Sequence, residues 1–252
     1  MTPDTKAYWD SVPPPMGFRD KKWTYEERRA FRYELQDYMP SVFPFKQMRG
    51  KSVLEVGCGS GIDLAEFARN GAMVTGVDFS PKNVALTQAT LLEAGCADNS
   101  MVLEADATKL PFPDASFDCL FSFGVLHHVP DIDKALAEIA RVLRPGGLFT
   151  GMVYNRDSLL YAYSILTRGV REGLTPDEAM RKWSERVEGC PYSKAYTFDE
   201  WHHVLRRHNI APTLLKSAFL VVDLPNERKV KLSDVDLYGM GWHIVFNGFR
   251  PS

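Results

Sequence analysis

Val53-Leu54-Glu55-Val56-Gly57-Cys58-Gly59-Ser60-Gly61 decides the fold: an apolar run enters three alternate glycines, and an amphipathic segment, Ile62 to Asn70, follows at once. Glycine lets the backbone turn sharply and lets a ligand lie against the main chain without meeting a Cβ. The helix that begins there points unpaired N–H groups and the positive end of its dipole at whatever occupies the turn. A second apolar run ends in Asp78, 21 residues after Gly57, where an acid can bind both hydroxyls of an adenosine ribose. The pattern therefore reads as a site for a nucleoside-containing cofactor. The spacing is G-x-G-x-G, and Ile62 stands where the dinucleotide fingerprint G-x-G-x-x-G has its third glycine. Taken alone, the loop also reads as a tight strand–helix turn, and Asp78 as the acid that stabilises the next helix dipole by about 0.5 kcal/mol.

Working outward, short apolar runs at 52–57, 73–78, 101–104, 117–122 and 147–153 alternate with helical patterns at 62–70, 81–94 and 131–143. That alternation predicts βαβ units and a parallel sheet covered on both faces. Gly71 stops the first helix, Ser80-Pro81 opens the second, and Pro145-Gly146-Gly147 ends the third. After 153 the alternation fails. Positions 154–196 read as irregular helix interrupted by Pro176, Gly189 and Pro191; a helix at 198–208 and apolar stretches at 213–222 and 240–249 follow.

Composition suits a globular enzyme: 252 residues, 45% hydrophobic and 25% charged, with a formal net charge of −2. No run of Lys and Arg makes a nucleic-acid footprint, and Pro13-Pro14-Pro15 reads as a stiff extended linker. Met1 to Tyr8 lacks the apolar core of a signal peptide, and no stretch approaches the about 18 apolar residues of a membrane span. Cys58, Cys96, Cys119 and Cys190 have neither zinc-site nor disulfide-framework spacing, which points to a reduced, cytoplasmic protein. His202, His203, His208 and His243 form no H-E-x-x-H pattern, so no metal is expected.

Further motifs follow in order: Glu104-Ala105-Asp106-Ala107, Leu110-Pro111-Phe112, Ser116-Phe117-Asp118, Phe123-Gly124-Val125-Leu126-His127-His128, and Arg141-Val142-Leu143-Arg144-Pro145-Gly146-Gly147. With these the chain resembles the class I S-adenosylmethionine-dependent methyltransferases, in the small-molecule group that includes the ubiquinone and menaquinone methyltransferases, over roughly positions 51–153. The resemblance implies an α/β fold: a Rossmann-like, seven-stranded, mostly parallel sheet with helices on both faces and an antiparallel last strand. It implies a helical leader over 1–50, a cofactor-binding core over 51–153, a cap inserted after the fifth strand over 154–196, and a return to the core over 197–252. The cofactor would be S-adenosyl-L-methionine and the product S-adenosyl-L-homocysteine. Glu55, Gly57, Cys58, Gly59 and Gly61 would surround its methionine part, with Asp78 on the ribose and Phe79 on the adenine face. Asp106 and Ala107 would read the adenine edge, and Phe123, Gly124 and His128 would wall the sulfonium.

Methyl transfer is an in-line displacement in which most of the rate comes from alignment in a dry cavity. A base is needed only when the acceptor must shed a proton; His128, whose unperturbed pKa lies near neutrality, and Tyr154 are the candidates. Acceptor contacts are expected from Tyr8 and Trp9 in the leader, Tyr154 and Arg156 after the fifth strand, Tyr192, and His243. This aromatic content points to a small apolar or aromatic acceptor. Three other readings compete with it. Ile62 argues against an NAD-dependent oxidoreductase, and the absence of an (N/D)-P-P-(Y/F) motif argues against a nucleic-acid methyltransferase. A non-catalytic S-adenosylmethionine-binding protein stays open, because fold does not fix function.

Overall fold

Val53, Leu54, Glu55 and Val56 are all buried, so β1 (Ser52–Val56) runs through the middle of a sheet covered on both faces. On one side it pairs in parallel with β2 (Met73–Asp78), which pairs with β3 (Ser100–Glu104). On the other it pairs in parallel with β4 (Phe117–Phe123), which pairs with β5 (Leu143–Tyr154). Beyond β5 the order is completed by two later strands, β6 (Ala211–Ala218) at the edge and, between it and β5, β9 (His243–Phe249), antiparallel to both neighbours. The sheet thus has seven strands in the order β3-β2-β1-β4-β5-β9-β6; its parallel part is what the alternation of apolar runs predicts, and the seven strands with an antiparallel last one are what the resemblance implies. Its order reverses between β1 and β4, which puts the ligand crevice of such sheets beyond the carboxyl ends of those two strands.

The computed structural model describes residues 3–12, 23–185, 188–222, 230–233 and 239–252, so the Pro13-Pro14-Pro15 linker lies outside the described residues. Local chemistry sets the helix starts. α1 (Pro3–Ser11), α2 (Tyr25–Leu35) and the short α3 (Met39–Val42) precede the sheet. Thr24 and Glu27 form a capping box that opens α2. α4 (Ile62–Arg69) starts directly from the glycine loop, without a side-chain cap. α5 (Pro81–Glu93) begins with Ser80 accepting from the Asn83 N–H and Pro81 in the first turn. α6 (Ile132–Val142) is capped by Asp131. After β5 come a π-helix (Leu160–Leu166), α7 (Thr167–Arg171), α8 (Pro176–Trp183) and, opened by a Thr197–Glu200 capping box, α9 (Phe198–Arg207).

Two cores flank the sheet. One gathers Phe43, Phe45, Phe67 and Phe121 with the helices of the leader and α4; the other gathers Leu120, Leu136, Phe149, Trp201 and Phe246 under α6 and α9. The apolar run at 213–222 does not form one strand. Phe219 adopts a left-handed φ of 62°, ending β6 and starting β7 (Leu220–Val222), which pairs with β8 (Val230–Ser233) in a separate two-stranded ribbon. A bulky residue pays for that conformation with strain, and such strain tends to collect beside functional pockets; here the Phe219 ring stacks on His243.

Candidate cofactor and acceptor site

The loop after β1 is shaped by two glycines with different duties. At Gly57 φ is +78°, and a Cβ would overlap Val125, with its Cγ1 2.8 Å away, so this glycine lets the loop pack against the segment after β4. At Gly59 φ is +52° and a Cβ would meet nothing within 4 Å, so this glycine faces open space at the mouth of the crevice. The Gly59 N–H donates to Asp78 Oδ2 at 2.9 Å, tying the loop to the end of β2. Asp78 Oδ1 accepts from the Ser80 N–H at 2.9 Å and from Asn83 Nδ2 at 3.2 Å. Burial raises the Asp78 carboxyl above its ordinary range, against the lowering effect of these hydrogen bonds.

Glu55, at the end of β1, is buried, and its Oε2 has no hydrogen-bond partner among the described residues. Burial raises its pKa strongly, and the neighbouring Asp63 carboxylate adds to the shift. Asp63, in the first turn of α4, is held by Arg32 Nη2 at 2.5 Å and by the Tyr33 hydroxyl at 3.1 Å. The Arg32 guanidinium in turn lies over Phe123, 4.4 Å from the ring centroid. The leader therefore reaches the crevice through α2. It also reaches it through α1, where Asp10 accepts from the Ser80 hydroxyl and Lys6 pairs with Glu104. Cys58 points the other way, packing its buried side chain against Gly76 and Thr87. Asp106 folds back on its own turn, accepting from the Thr108 N–H and hydroxyl, both at 2.8 Å. Ala107 is buried beside it, and Phe79 carries the Lys6 ammonium 5.7 Å above its ring.

Beyond β4 and β5 lies a wall of rings. Tyr154 stacks on His127 at 3.6 Å and on Trp242 at 4.2 Å between centroids. His243 stacks on Phe219, meets Phe123 edge-on, and shares a 2.7 Å hydrogen bond with the Tyr38 hydroxyl through Nδ1. Trp9, from α1, sits edge-on to His128 with 4.8 Å between centroids, and Tyr8 packs against Trp9. The polar end of this wall was not legible in the sequence. Tyr154 donates its hydroxyl to Glu185 Oε1 at 2.7 Å, and His128 Nε2 lies 3.3 Å from the same oxygen. Burial alone would lower the His128 pKa, but the Glu185 carboxylate outweighs it and lifts the imidazole to about 10. His127, fully buried and next to a charged ring, is pushed well below the ordinary histidine value.

Of the expected residues, the Cys58 side chain and Arg156 lie away from this crevice. Arg156 pairs with Glu200 of α9 at 3.0 Å, because the chain leaves the sheet after Tyr154 and is drawn toward α9. Tyr192 contributes its carbonyl, which accepts from His128 Nδ1 at 2.9 Å. The sequence pattern does not mark Glu185, Asp63 or Cys190 as site residues. Cys190 Sγ lies 3.6 Å from His128 Nδ1, and neither it nor Glu185 sits in any local motif.

Residues 54–150 match the family model described as the methyltransferase domain. The chain is 36% identical over 142 residues to the 27-O-demethylrifamycin SV methyltransferase of Amycolatopsis mediterranei, a match covering 56% of this chain and 47% of that protein. It is 36% identical over 132 residues to a ubiquinone biosynthesis O-methyltransferase of Paracidovorax citrulli, covering 51% and 54%. The chain thus spans about half the length of the curated relatives it matches. Among solved structures, an S-adenosylmethionine-dependent methyltransferase from Methanosarcina mazei superposes with a TM-score of 0.64 at 19% identity, covering 84% of this chain and 97% of that one.

Proposed function

We propose that this chain, whose residues 54–150 form a methyltransferase domain of the S-adenosylmethionine-dependent class, moves a methyl group from S-adenosylmethionine to a small apolar or aromatic acceptor. The observation that carries the reading is the pairing of an open glycine with an anchored acid: Gly59 faces space, and Asp78 holds the loop that presents it. The residues fit the cofactor. The unpartnered, buried Glu55 oxygen suits an ammonium, and the uncapped start of α4 suits a carboxylate. When bound, S-adenosylmethionine supplies an electrophilic methyl group on a positively charged sulfur.

The chain's own residues then bind, orient and exclude water. Asp78 would hold the ribose hydroxyls, Asp106 and the Ala107 backbone the adenine edge, and Phe79 its face. Phe123 and Gly124 would wall the sulfonium, and Tyr8, Trp9, Tyr154, Tyr192 and His243 would receive the acceptor. The leader over 1–50 and the segment 154–196 would close the crevice from two sides. Relatives named for O-methylation of demethylrifamycin SV and in ubiquinone biosynthesis favour a hydroxyl acceptor. Such an acceptor must lose a proton, and the Tyr154–Glu185–His128 group is the polar set at that end of the wall. Within this set Glu185 Oε1 accepts from the Tyr154 hydroxyl and lies 3.3 Å from His128 Nε2. The scattered cysteines, all free, suit the cytoplasm.

The test is transfer of labelled methyl from S-adenosylmethionine to a panel of phenolic and apolar hydroxyl compounds. S-adenosylhomocysteine released in step with methylated product is the expected result. Turnover that is insensitive to Asp78→Asn contradicts the reading.

A further inference from the structure

His127 poses a problem that the cofactor reading leaves unsolved. Its ring is fully buried, and neither nitrogen has a hydrogen-bond partner among the described residues. Buried polar groups are nearly always satisfied, and the exceptions call for an explanation such as an ion. The neighbouring groups are arranged as if around one. The Tyr192 carbonyl can only accept, so His128 Nδ1 carries the proton of that 2.9 Å hydrogen bond and Nε2 faces the other way. There it lies 3.3 Å from Glu185 Oε1, whose carboxylate is oriented by the Tyr154 hydroxyl. Ligand-capable atoms of His127, His128 and Glu185 all lie within 4.8 Å of one another.

Ligating imidazoles usually give their second N–H to a carbonyl or carboxylate, and ligating carboxylates are themselves hydrogen-bonded. Tyr192 and Tyr154 supply both features here. A tetrahedral zinc ion with bonds of about 2.0–2.2 Å places its ligand atoms roughly 3.3–3.6 Å apart. The His128–Glu185 separation of 3.3 Å already matches. Trp9 packs edge-on against His128, and both histidines are buried.

We propose that His127, His128 and Glu185 bind one divalent transition-metal ion of the zinc type. Two imidazoles and one carboxylate favour zinc, cobalt or nickel over magnesium and calcium, which take oxygen ligands. The ion takes the place of the proton on His128 Nε2, which leaves to solvent, so the imidazole ligates in its neutral form. Three protein ligands leave a fourth position open, as in catalytic zinc sites. It lies at the polar end of the ring wall and suits an acceptor oxygen; this part rests on the methyl-transfer reading. Cys190 lies on the Nδ1 side of His128 and is not a ligand.

The full chain, dialysed against a chelator, is titrated with Zn²⁺ alone in competition with a chromogenic chelator, and S-adenosylhomocysteine binding is measured on the same samples. One equivalent per chain is expected. Glu185→Gln and His127→Asn should each weaken it by at least about 100-fold, the upper end of what outer-shell changes cost, whereas Cys190→Ser should leave it unchanged. Binding below one equivalent, or unaltered by Glu185→Gln, overturns the inference. Intact S-adenosylhomocysteine binding in those samples shows that the methyl-transfer reading survives such a failure. If the variants do not fold, the Co²⁺ spectrum of the wild-type chain decides. Visible d–d bands without thiolate charge transfer support the site, and a strong thiolate band places the ion on a cysteine and overturns it.

Discussion

Replacing Gly57 and Gly59 separately with alanine distinguishes a packing glycine from a ligand-facing one. Both have positive φ, so each substitution costs roughly 1–2 kcal/mol for a left-handed L-residue. At Gly57 the new methyl also meets Val125, and such overpacking adds about 1–3 kcal/mol. The sum is roughly 2–5 kcal/mol for Gly57→Ala against 1–2 for Gly59→Ala. At about 2–4 °C per kcal/mol for a chain of this size, the Gly57 variant should melt several degrees below the Gly59 variant. Calorimetry of the ligand-free proteins measures this, and a mutant cycle isolates the clash: in a Val125→Ala background the Gly57→Ala penalty should shrink by about 1–3 kcal/mol. The order should reverse for ligand binding. Gly59→Ala should weaken S-adenosylhomocysteine by more than it weakens the fold, because its methyl enters the open side of the loop. Equal melting losses for the two variants, with no coupling to Val125, would refute the assignment of separate duties.

Three further outcomes are expected. Asp78→Asn removes the charge from an acid expected to accept ribose hydroxyls, and hydrogen bonds to charged groups contribute about 1.5–3 kcal/mol; isothermal titration should show binding of both adenosyl compounds about 10–100-fold weaker. Tyr154→Phe keeps the stack on His127 and Trp242 but removes the hydrogen bond to Glu185, so kcat should fall while the cofactor Kd stays unchanged; a shift in Kd with unaltered kcat would count against the acceptor-side placement. Glu55 has a folded-state pKa above its unfolded one, so the unfolded chain ionises first as pH rises and the residue costs stability progressively between its two pKa values. Glu55→Gln should therefore leave ligand-free stability unchanged near pH 4 and increase it at pH 7, while weakening binding; urea titrations at the two pH values check the sign.

What could be read from the chain follows how local each signal is. The loop 53–61 and the Ser80-Pro81 start of α5 depend on neighbours a few residues away, and the structure places both where the sequence does. The parallel βαβ part of the sheet also follows, because alternating strands and helices leave few ways to wind. The acceptor side is different. Glu185 meets His128 only because the chain after β5 folds back over the crevice, and no spacing in the sequence joins positions 57 residues apart. Arg156 was expected at the site from its place just after a strand, but the partner that claims it, Glu200, belongs to a helix more than 40 residues later. The run at 213–222 is apolar apart from Thr213, Lys216 and Ser217, and nothing in its periodicity announces the left-handed Phe219 that divides it between two sheets. Cys58 shares the glycine loop, yet the strand-to-helix turn sends its side chain under β2.

The central claim, that the loop after β1 and Asp78 hold an adenosyl cofactor, is tested most directly by thermal unfolding with S-adenosylmethionine, S-adenosylhomocysteine and NADH in parallel. At about 100 times its dissociation constant a ligand adds roughly 2.7 kcal/mol, a shift of several degrees for a chain of this length. The account expects that shift with both adenosyl compounds, its loss in Gly59→Ala, and none with NADH. A shift with NADH alone would contradict it.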